Sequence, residues 1–194
     1  MKVAITGHTR GIGKKISEYF SSLGYEIVGL SRSTGCDLKI EENKQSAIQK
    51  IIECDIFVNC AFVSIEKTHS QHSYVPIEML FEVHKAWNGD PRKKIFVISS
   101  STHLSLTMAH DYGYAGYQVH KMALDNATFI LSRTNRYPML HLLKPGRVDT
   151  DLAKKRMGSR MQTSDVTSVM DFCMKNFDKI YMREITFDPG SDYY

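Results

Sequence analysis

Short apolar runs alternate with helical patterns along the whole chain, and this alternation limits the folds that it can adopt. The runs at residues 3–5, 26–30, 55–59, 94–98, 139–143 and 184–187 are predicted strands. Apolar residues at helical spacing between them predict helices at 12–23, 41–53, 77–87, 117–133 and 165–177. Strands that are apolar on both faces need helices on both sides, which predicts an α/β fold with one doubly wound parallel sheet. With a minimal strand at 36–38, we expect six to seven strands in a single domain over residues 1–194.

The composition of the 194-residue chain excludes several classes of protein. A hydrophobic share of 42% is typical of a globular protein and not of a disordered one. The net charge of +4 is too small and too dispersed to indicate a nucleic-acid partner. No apolar run is long enough to cross a membrane, and the first residues are too short an apolar run for a signal peptide. The four cysteines form no Cys-x-x-Cys pair, so we expect them to be packing residues of a cytoplasmic protein.

The glycine-rich segment 6–13, T-G-H-T-R-G-I-G, lies between the first predicted strand and the first predicted helix. A tight turn, a close approach of backbone to a diphosphate and close packing of helix on strand each favour a residue without a Cβ atom. The N-terminus of the helix supplies free N–H groups and the positive end of the helix dipole. A strand, loop and helix in this order predict a nucleotide-binding site.

The spacing T-G-x-x-x-G-x-G resembles that of the short-chain dehydrogenase/reductase (SDR) family, and other segments resemble further motifs of that family in the same order. They are Asp37-Leu38, Asn59-Cys60-Ala61, Ile98-Ser99-Ser100, Tyr117-x-x-x-Lys121, the segment from Pro145 to Thr150, and the last predicted strand with its turn at 185–190. Together these motifs cover nearly the whole chain. The resemblance implies a Rossmann-like fold, a nicotinamide cofactor, and hydride transfer between that cofactor and a small carbonyl or alcohol substrate.

The resemblance also implies which residues bind the cofactor. They are Gly7, Thr9, Arg10, Gly11, Ile12, Gly13, Ser31, Arg32, Asp37, Leu38, Asn59, Cys60, Ala61, Tyr117, Lys121, Pro145, Gly146, Val148 and Thr150. Asp37 and Leu38 would meet the adenine, and the segment from Pro145 would hold the nicotinamide side.

Two positions depart from the family pattern. Phe62 stands where a glycine usually follows Ala61. The family also has a helix asparagine that supports a proton-relay water, and this chain has no asparagine between Asn59 and Asn88. The relay residue is therefore unassigned.

Tyr117 and Lys121 are four positions apart, so a helix places them on one face. Tyr112 and Tyr114 are nearby, but neither has a lysine four residues later. Reduction of a carbonyl needs a proton donor, and a neighbouring ammonium group favours a phenolate and lowers the pKa of a tyrosine. We therefore expect Tyr117 to be the acid/base, assisted by Lys121. The resemblance implies that Lys121 also holds the nicotinamide ribose.

A serine hydroxyl would polarise the substrate oxygen. Ser99, Ser100 and Ser101 are consecutive, and the strand end favours Ser100. Its interval of 17 residues to Tyr117 is several residues longer than is usual in the family. Thr102 and Ser105 are therefore further candidates.

The end of the second predicted strand indicates the cofactor preference. Sites for NAD place an acidic residue there for the ribose 2′-hydroxyl, whereas a 2′-phosphate needs a cation. This strand ends with Ser31-Arg32, and Arg10 is a second basic residue in the glycine loop. Arginine presents a planar fork of donors that suits phosphate, so we predict NADP(H) in preference to NAD(H).

Two weaker signals are read as structural. His69 and His72 have no further ligand cluster near them, so we predict a polar loop and no metal site. Four basic residues follow Thr150, where the family has its substrate lid; a solvated helix face is favoured over a site for an anionic substrate. These residues are Lys154, Lys155, Arg156 and Arg160.

Small residues on and just before the long predicted helix, Ala115, Gly116, Ala123 and Ala127, bear on the oligomeric state. The resemblance implies that this helix pairs across a dimer axis, which predicts a homodimer or homotetramer. The alternative is that these residues pack on the sheet.

Two other functions are open at this stage. A non-catalytic NADP(H)-binding sensor or assembly protein would explain the missing asparagine and the long serine interval. A sugar-nucleotide-modifying relative would explain the shortness of the chain, although the segment from Pro145 to Thr150 and the last strand argue against it.

Overall fold

Parallel strands form one six-stranded sheet in the computed structural model, which describes residues 1–62, 74–101, 112–151 and 158–190. The strands are β1 (Lys2–Thr6), β2 (Glu26–Leu30), β3 (Ile56–Asn59), β4 (Lys94–Ile98), β5 (Met139–Pro145) and β6 (Glu184–Phe187). Their order in the sheet is β2-β1-β3-β4-β5-β6, and every neighbouring pair is parallel. The predicted doubly wound α/β fold is confirmed.

Five described helices cover both faces of this sheet. They are α1 (Gly11–Ser22), α2 (Glu41–Ile52), α3 (Val75–Ala86), α4 (Tyr112–Thr134) and α5 (Thr163–Asn176). Helices α2, α3 and α4 pack on one face, where their apolar side chains meet Ala4, Phe57 and Val97. Helices α1 and α5 pack on the other face, against strand residues such as Ile5 and Phe96. The continuously apolar strands are explained by this burial on two sides.

The predicted strand at 36–38 is wrong. Arg32–Thr34 form a single 3-10 turn, Gly35 has a left-handed φ of 84°, and residues 36–38 pair with no strand. A parallel partner for β2 would need a crossover connection of about a dozen residues or more. Only residues 31–40 separate β2 from α2, so the chain turns directly into the helix.

The other elements lie within a few residues of their predicted bounds, with one larger difference. Helix α4 begins at Tyr112, five positions before the predicted start at residue 117. Glycine at positions 113 and 116 lowers helix propensity, and packing of the helix on the sheet overrides that preference.

His141 is a fully buried titratable group on β5, the strand that lies between β4 and the edge strand β6. Its ring stacks on Phe96 with 4.8 Å between ring centroids. Nδ1 lies 2.8 Å from the carbonyl oxygen of Met182, which can only accept, so Nδ1 carries the proton of the neutral ring. Burial lowers the pKa of His141 from 6.5 to about 4. The side chain of His141 is therefore uncharged in the folded protein at neutral pH.

The free energy of unfolding should depend on pH through His141. The unfolded chain binds a proton at this residue more readily than the folded chain does, so stability is complete above pH 6.5 and is lost as the pH falls towards about 4. The loss should approach about 3 kcal/mol, because each pKa unit corresponds to about 1.36 kcal/mol. Urea unfolding across this range should show a smaller pH slope for His141→Gln than for the unmodified chain. Equal slopes would contradict the assignment.

Candidate active site

The predicted motifs meet at the carboxyl edge of the sheet. All six strands run in the same direction, so the segments that follow β1, β3, β4 and β5 lie side by side at that edge. Strands β2 and β3 lie on opposite sides of β1, so the order of strands in the sheet changes direction there. This is a topological switch point of the parallel sheet. Ligands of open α/β sheets bind in the crevice outside the strand ends at such a point.

The glycine loop after β1 folds tightly against the start of α1. Gly7 has a φ of 72°, in the left-handed region that favours glycine, and its N–H donates to the carbonyl of Leu30 over 2.8 Å. A methyl group added at Gly13 would overlap the carbonyl oxygen of Gly7. Glycine at position 13 therefore allows the start of α1 to pack directly on the turn after β1.

Other strand ends close around this loop. The Thr6 hydroxyl accepts hydrogen bonds from the backbone N–H groups of Cys60 and Ala61, each over 3.0 Å. A methyl group added at Gly7 would lie 3.2 Å from the Cα atom of Ala61, and one added at Gly11 would lie 3.3 Å from Cγ2 of Thr150. The structure therefore brings together the predicted segments after β1, β3 and β5.

The segment after β5 is also anchored to the loop helix. Val148 is buried and packs in one cluster with Met161 and Val166, against which Ile12 of α1 also packs. Backbone hydrogen bonds of 2.8 Å join Asp149 and Arg147 to Met161. These backbone hydrogen bonds between residues 147–149 and Met161 were not predicted from the sequence.

A cluster of hydroxyl groups lies at the end of β2. Thr9 and Ser31 are hydrogen-bonded over 3.0 Å, and Ser33 donates to Thr9 over 2.9 Å. Arg10 and Arg32 are exposed and lie on the two segments that these hydroxyls connect. Sequence reasoning selected both arginines, Thr9 and Ser31 but missed Ser33. Ser33 could have been selected because it stands two residues after Ser31, and the two hydroxyl oxygens lie 3.2 Å apart.

Asp37 and Leu38 lie in the turn before α2. Asp37 accepts a hydrogen bond from the Lys39 N–H over 3.1 Å, and Leu38 is buried in the core beside Ile48. Leu38 therefore stabilises the connection between β2 and α2.

His8 is a residue that sequence reasoning missed. Its ring lies against the backbone of Gly29, where an added methyl group would overlap it, and burial lowers the pKa of His8. The ring therefore fills the space that the glycine leaves on β2.

Lys121 and Tyr117 share one face of α4 above the end of β4. Lys121 is buried, and its Nζ donates to the carbonyl oxygen of Ile98 over 2.9 Å. The same Nζ lies 5.8 Å from the ring centroid of Tyr117, which is half-buried. The Lys121 ammonium group therefore lies near the Tyr117 ring, and the acid/base role of the two residues stays a prediction.

Phe62 completes the surroundings of this pair. Its ring meets the Tyr117 ring edge to face at 4.9 Å between centroids, and it lies 5.6 Å from Nζ of Lys121. The Tyr114 ring also stacks on the Tyr117 ring, with 6.3 Å between their centroids. The position that departs from the family glycine thus supplies an aromatic wall to the site, which the sequence pattern did not predict.

Cys60 lies close to the lysine. Burial raises the pKa of its thiol to about 11, and the charge of Lys121 opposes this only in part. The thiol is therefore protonated at neutral pH, which agrees with a packing role and not with a redox role. Cys54 and Cys173 are buried in the core, as predicted.

All three consecutive serines are buried at the end of β4, but their surroundings differ. Ser101 donates its hydroxyl proton to Oδ1 of Asp188 over 2.7 Å. The Ser99 hydroxyl is buried and has no hydrogen-bond partner among the described residues. Thr102 and Ser105 lie outside the described residues.

No asparagine lies on α3, where the relay residue was expected. Asn59 instead uses its side-chain amide to donate to the carbonyl of Pro76 over 2.7 Å. This bond ties the end of β3 to the first turn of α3.

The remaining predictions concern charges and metals. His69, His72 and the basic residues 154–156 lie outside the described part of the chain, whereas Arg160 pairs with Asp149 at 3.3 Å. Among residues 1–62, 74–101, 112–151 and 158–190, no group of side chains has the makeup of a metal site. The helices within these ranges are too short or too polar to cross a membrane.

A family model matches most of the chain. It is described as the NAD dependent epimerase/dehydratase family, and it matches residues 3–140. The match includes the glycine loop, the serines and both Tyr117 and Lys121, and it ends before Pro145. No curated protein sequence matches the chain.

Solved dehydrogenase structures share the fold over nearly its full length. A 3-alpha-hydroxysteroid dehydrogenase from Pseudomonas sp. B-0831, complexed with NADH, has a TM-score of 0.78 at 17% identity, covering 99% of this chain and 97% of that chain. The bulky-bulky ketone specific alcohol dehydrogenase from Comamonas testosteroni has a TM-score of 0.73 at 17% identity, with coverage of 97% and 86%. A short-chain dehydrogenase from Sphingobium yanoikuyae in complex with NADPH has a TM-score of 0.70 at 16% identity, with coverage of 97% and 87%.

Proposed function

Because the chain belongs to the NAD-dependent epimerase/dehydratase family, which is of the SDR type, we propose that it is an NADP(H)-dependent oxidoreductase. Its reaction is hydride transfer between the nicotinamide and a small carbonyl or alcohol substrate. One domain carries both the cofactor site and the substrate site. The observation that carries the proposal is the buried Lys121 ammonium group, which donates to Ile98 O at the end of β4 and lies beside Tyr117.

The glycine loop fits a dinucleotide cofactor. Arg10 occupies the N-cap position of α1 without a capping hydrogen bond from its side chain, so N–H groups of the first turn can bind a diphosphate. Glycine at positions 7 and 13 lets the loop pack closely against Ala61 and the start of α1, because a methyl group at either position would crowd backbone atoms. Ala61 and Thr150 form the walls on either side.

The chemistry is divided between the cofactor and three side chains. The bound cofactor supplies or accepts the hydride at the carbonyl carbon. Tyr117 gives its hydroxyl proton to the substrate oxygen during reduction and takes it back during oxidation. Lys121 stabilises the phenolate that forms; one of its three N–H groups donates to Ile98 O, and the others can reach the ribose hydroxyls. Ser100 donates a hydrogen bond to the substrate oxygen.

A second candidate is an epimerase or dehydratase acting on a sugar nucleotide, which the matching family model favours. A third is a binding protein without turnover, which the absence of an asparagine from α3 favours. Measuring NADPH oxidation with a panel of ketones, aldehydes and quinones, and epimerisation of UDP-glucose in parallel, separates the three. Cofactor binding without either activity would support the sensor.

Replacing Tyr117 by phenylalanine should abolish most turnover. General acid/base catalysis contributes about 10²- to 10⁴-fold, so kcat should fall by that factor while the affinity for NADPH is little changed. Lys121→Ala should lower both quantities, because the lysine serves the ribose and the proton transfer. Steady-state kinetics and fluorescence titration with NADPH measure the two effects.

Tyr114→Phe is the matched control for this experiment. Tyr114 stacks on Tyr117 on the same helix but has Gln118 four residues later, so its hydroxyl should be dispensable. If Tyr117→Phe keeps a normal kcat, or if Tyr114→Phe has the larger effect, the acid/base assignment is wrong.

The preference for NADP(H) should depend on Arg32 and Arg10. A hydrogen bond to a charged group contributes about 1.5–3 kcal/mol, so Arg32→Ala should weaken NADPH binding about 10- to 150-fold and leave NADH nearly unchanged. Arg32→Asp should go further, because a carboxylate repels the 2′-phosphate and accepts from the ribose hydroxyl. Fluorescence titrations at fixed salt concentration measure these affinities.

Arg92→Ala serves as the control for the loss of an arginine. Arg92 is exposed and is bound to Asp90 away from the carboxyl edge, so its loss should not distinguish the two cofactors. Equal affinity of the unmodified protein for NADH and NADPH would remove the basis of the assignment.

We propose that the chain forms a homodimer or homotetramer through α4. The small residue Ala127 is buried in the core, so it packs on the sheet and does not face a partner. The outer face of α4 instead carries large apolar side chains that are about half exposed: Val119 at 59%, Met122 at 47%, Phe129 at 53% and Ile130 at 57%. An apolar stripe of this kind on a helix indicates an interface.

A charge placed in this stripe should dissociate the oligomer. Ile130→Glu would bury a carboxylate at the interface, which is strongly unfavourable without a partner. Phe172→Glu is the control, because Phe172 is 52% exposed on α5, on the other face of the sheet. Light scattering at micromolar concentration should show a monomer for the first variant only. A monomeric unmodified chain would contradict the proposal.

A further inference from the structure

A carboxylate joins three strand ends at the edge of the proposed site. Ser101 follows β4, Gly146 follows β5 and Asp188 follows β6, and β5 lies between the other two strands. The hydrogen bond of 2.7 Å from the Ser101 hydroxyl to Asp188 Oδ1 therefore reaches across the end of the middle strand. Backbone hydrogen bonds run beneath it, from Ser101 N–H to Pro145 O over 3.0 Å and from Gly146 N–H to Phe187 O over 2.8 Å.

The same carboxylate explains the glycine at position 146. The backbone of Gly146 does not have a positive φ, so its conformation is open to any residue. A methyl group added there would overlap Asp188 Oδ1 and would lie 3.3 Å from the Cα atom of Asp188. The overlapped oxygen is the one that accepts the Ser101 hydrogen bond. Any side chain at 146 would therefore drive the carboxylate away from Ser101.

We propose that Asp188 is a positioning residue for the reaction, acting on two parts of the site at once. Through Ser101 it fixes the turn that carries Ser100, and through its contact with Gly146 it fixes the segment that leads to Val148 and Thr150. The amides on both sides of Ser100 are already bound, Ser99 N–H to Leu143 O over 2.8 Å and Ser101 N–H to Pro145 O. The hydrogen bond from the Ser101 hydroxyl to Asp188 fixes, in addition, the side chain of the residue that follows Ser100. This inference rests on the proposed function.

The first experiment tests whether Gly146 and Asp188 act as one unit. Gly146→Ala should lower the affinity for NADPH and the melting temperature, because the methyl group displaces the carboxylate. In a chain that already carries Asp188→Ala, the same change should have little further effect. Gly190→Ala is the matched control, since an added methyl group there has no described atom within 4 Å and its φ is not positive. If the fold-losses in NADPH affinity caused by Gly146→Ala and by Asp188→Ala multiply in the double variant, the proposal is wrong.

The second experiment separates positioning from simple stability and needs no added bulk in the site. Ser101→Ala and Asp188→Ala should each lower kcat about tenfold, which corresponds to about 1.4 kcal/mol, at the lower end for a hydrogen bond to a charged group. The double variant should be no slower than either single one. Asp188→Asn should restore much of kcat, because its side-chain oxygen can still accept from Ser101. If the variants have lower melting temperatures but an unchanged kcat at temperatures where they are folded, Asp188 is not a positioning residue.

The outcome for Asp188 is distinguishable from the outcome for the proposed function. If the unmodified chain reduces no substrate of the panel, the oxidoreductase proposal fails. The Gly146 and Asp188 comparison then still decides the coupling of the strand ends, because NADPH affinity and melting temperature do not require turnover.

Discussion

Parallel hydrogen bonding between all neighbouring strands is the constraint from which the other features of this protein follow. Each parallel pair needs a connection that crosses over a face of the sheet, and these crossovers supply the five helices that bury both faces. It also places every strand's carboxyl end at one edge. The glycine loop, the serines and the segment after β5 are far apart in sequence, and they become neighbours because each of them directly follows a strand.

Several polar side chains at this edge form hydrogen bonds with backbone groups. Lys121 donates to Ile98 O, Asn59 donates to Pro76 O, and the Thr6 hydroxyl accepts from two N–H groups after β3. A buried polar group without a partner is unfavourable, so each of these bonds fixes a side chain in one place. The hydrogen bond to Ile98 O therefore holds the ammonium group of Lys121 in place beside Tyr117.

Much of the fold could be predicted from the sequence because burial on both faces leaves a strong signal, the continuous apolar runs at each strand. The prediction of a strand at 36–38 was wrong because the local apolar pattern carries no information on the length of the crossover connection that a parallel strand needs. In the site, Tyr117 and Lys121 were selected by their spacing on a helix together with their place after the serines of β4, and their catalytic role stays a prediction. The Ser101–Asp188 bond could not, because its residues are 87 positions apart and meet only across the end of β5. The ring of Phe62 likewise gains its role from α4, which no local pattern connects to it.

The short connection between β2 and α2 has a consequence for the proposed cofactor. The turn at 31–40 adds no strand beside β2, and Leu38 is committed to the core, so this end of the crevice offers mainly hydroxyls and the cations of Arg10 and Arg32. Exposed charges are screened by mobile ions, over a distance of about 8 Å at physiological ionic strength. Under the proposed function, discrimination between NADPH and NADH by these two arginines should therefore be stronger in dilute buffer than in concentrated salt.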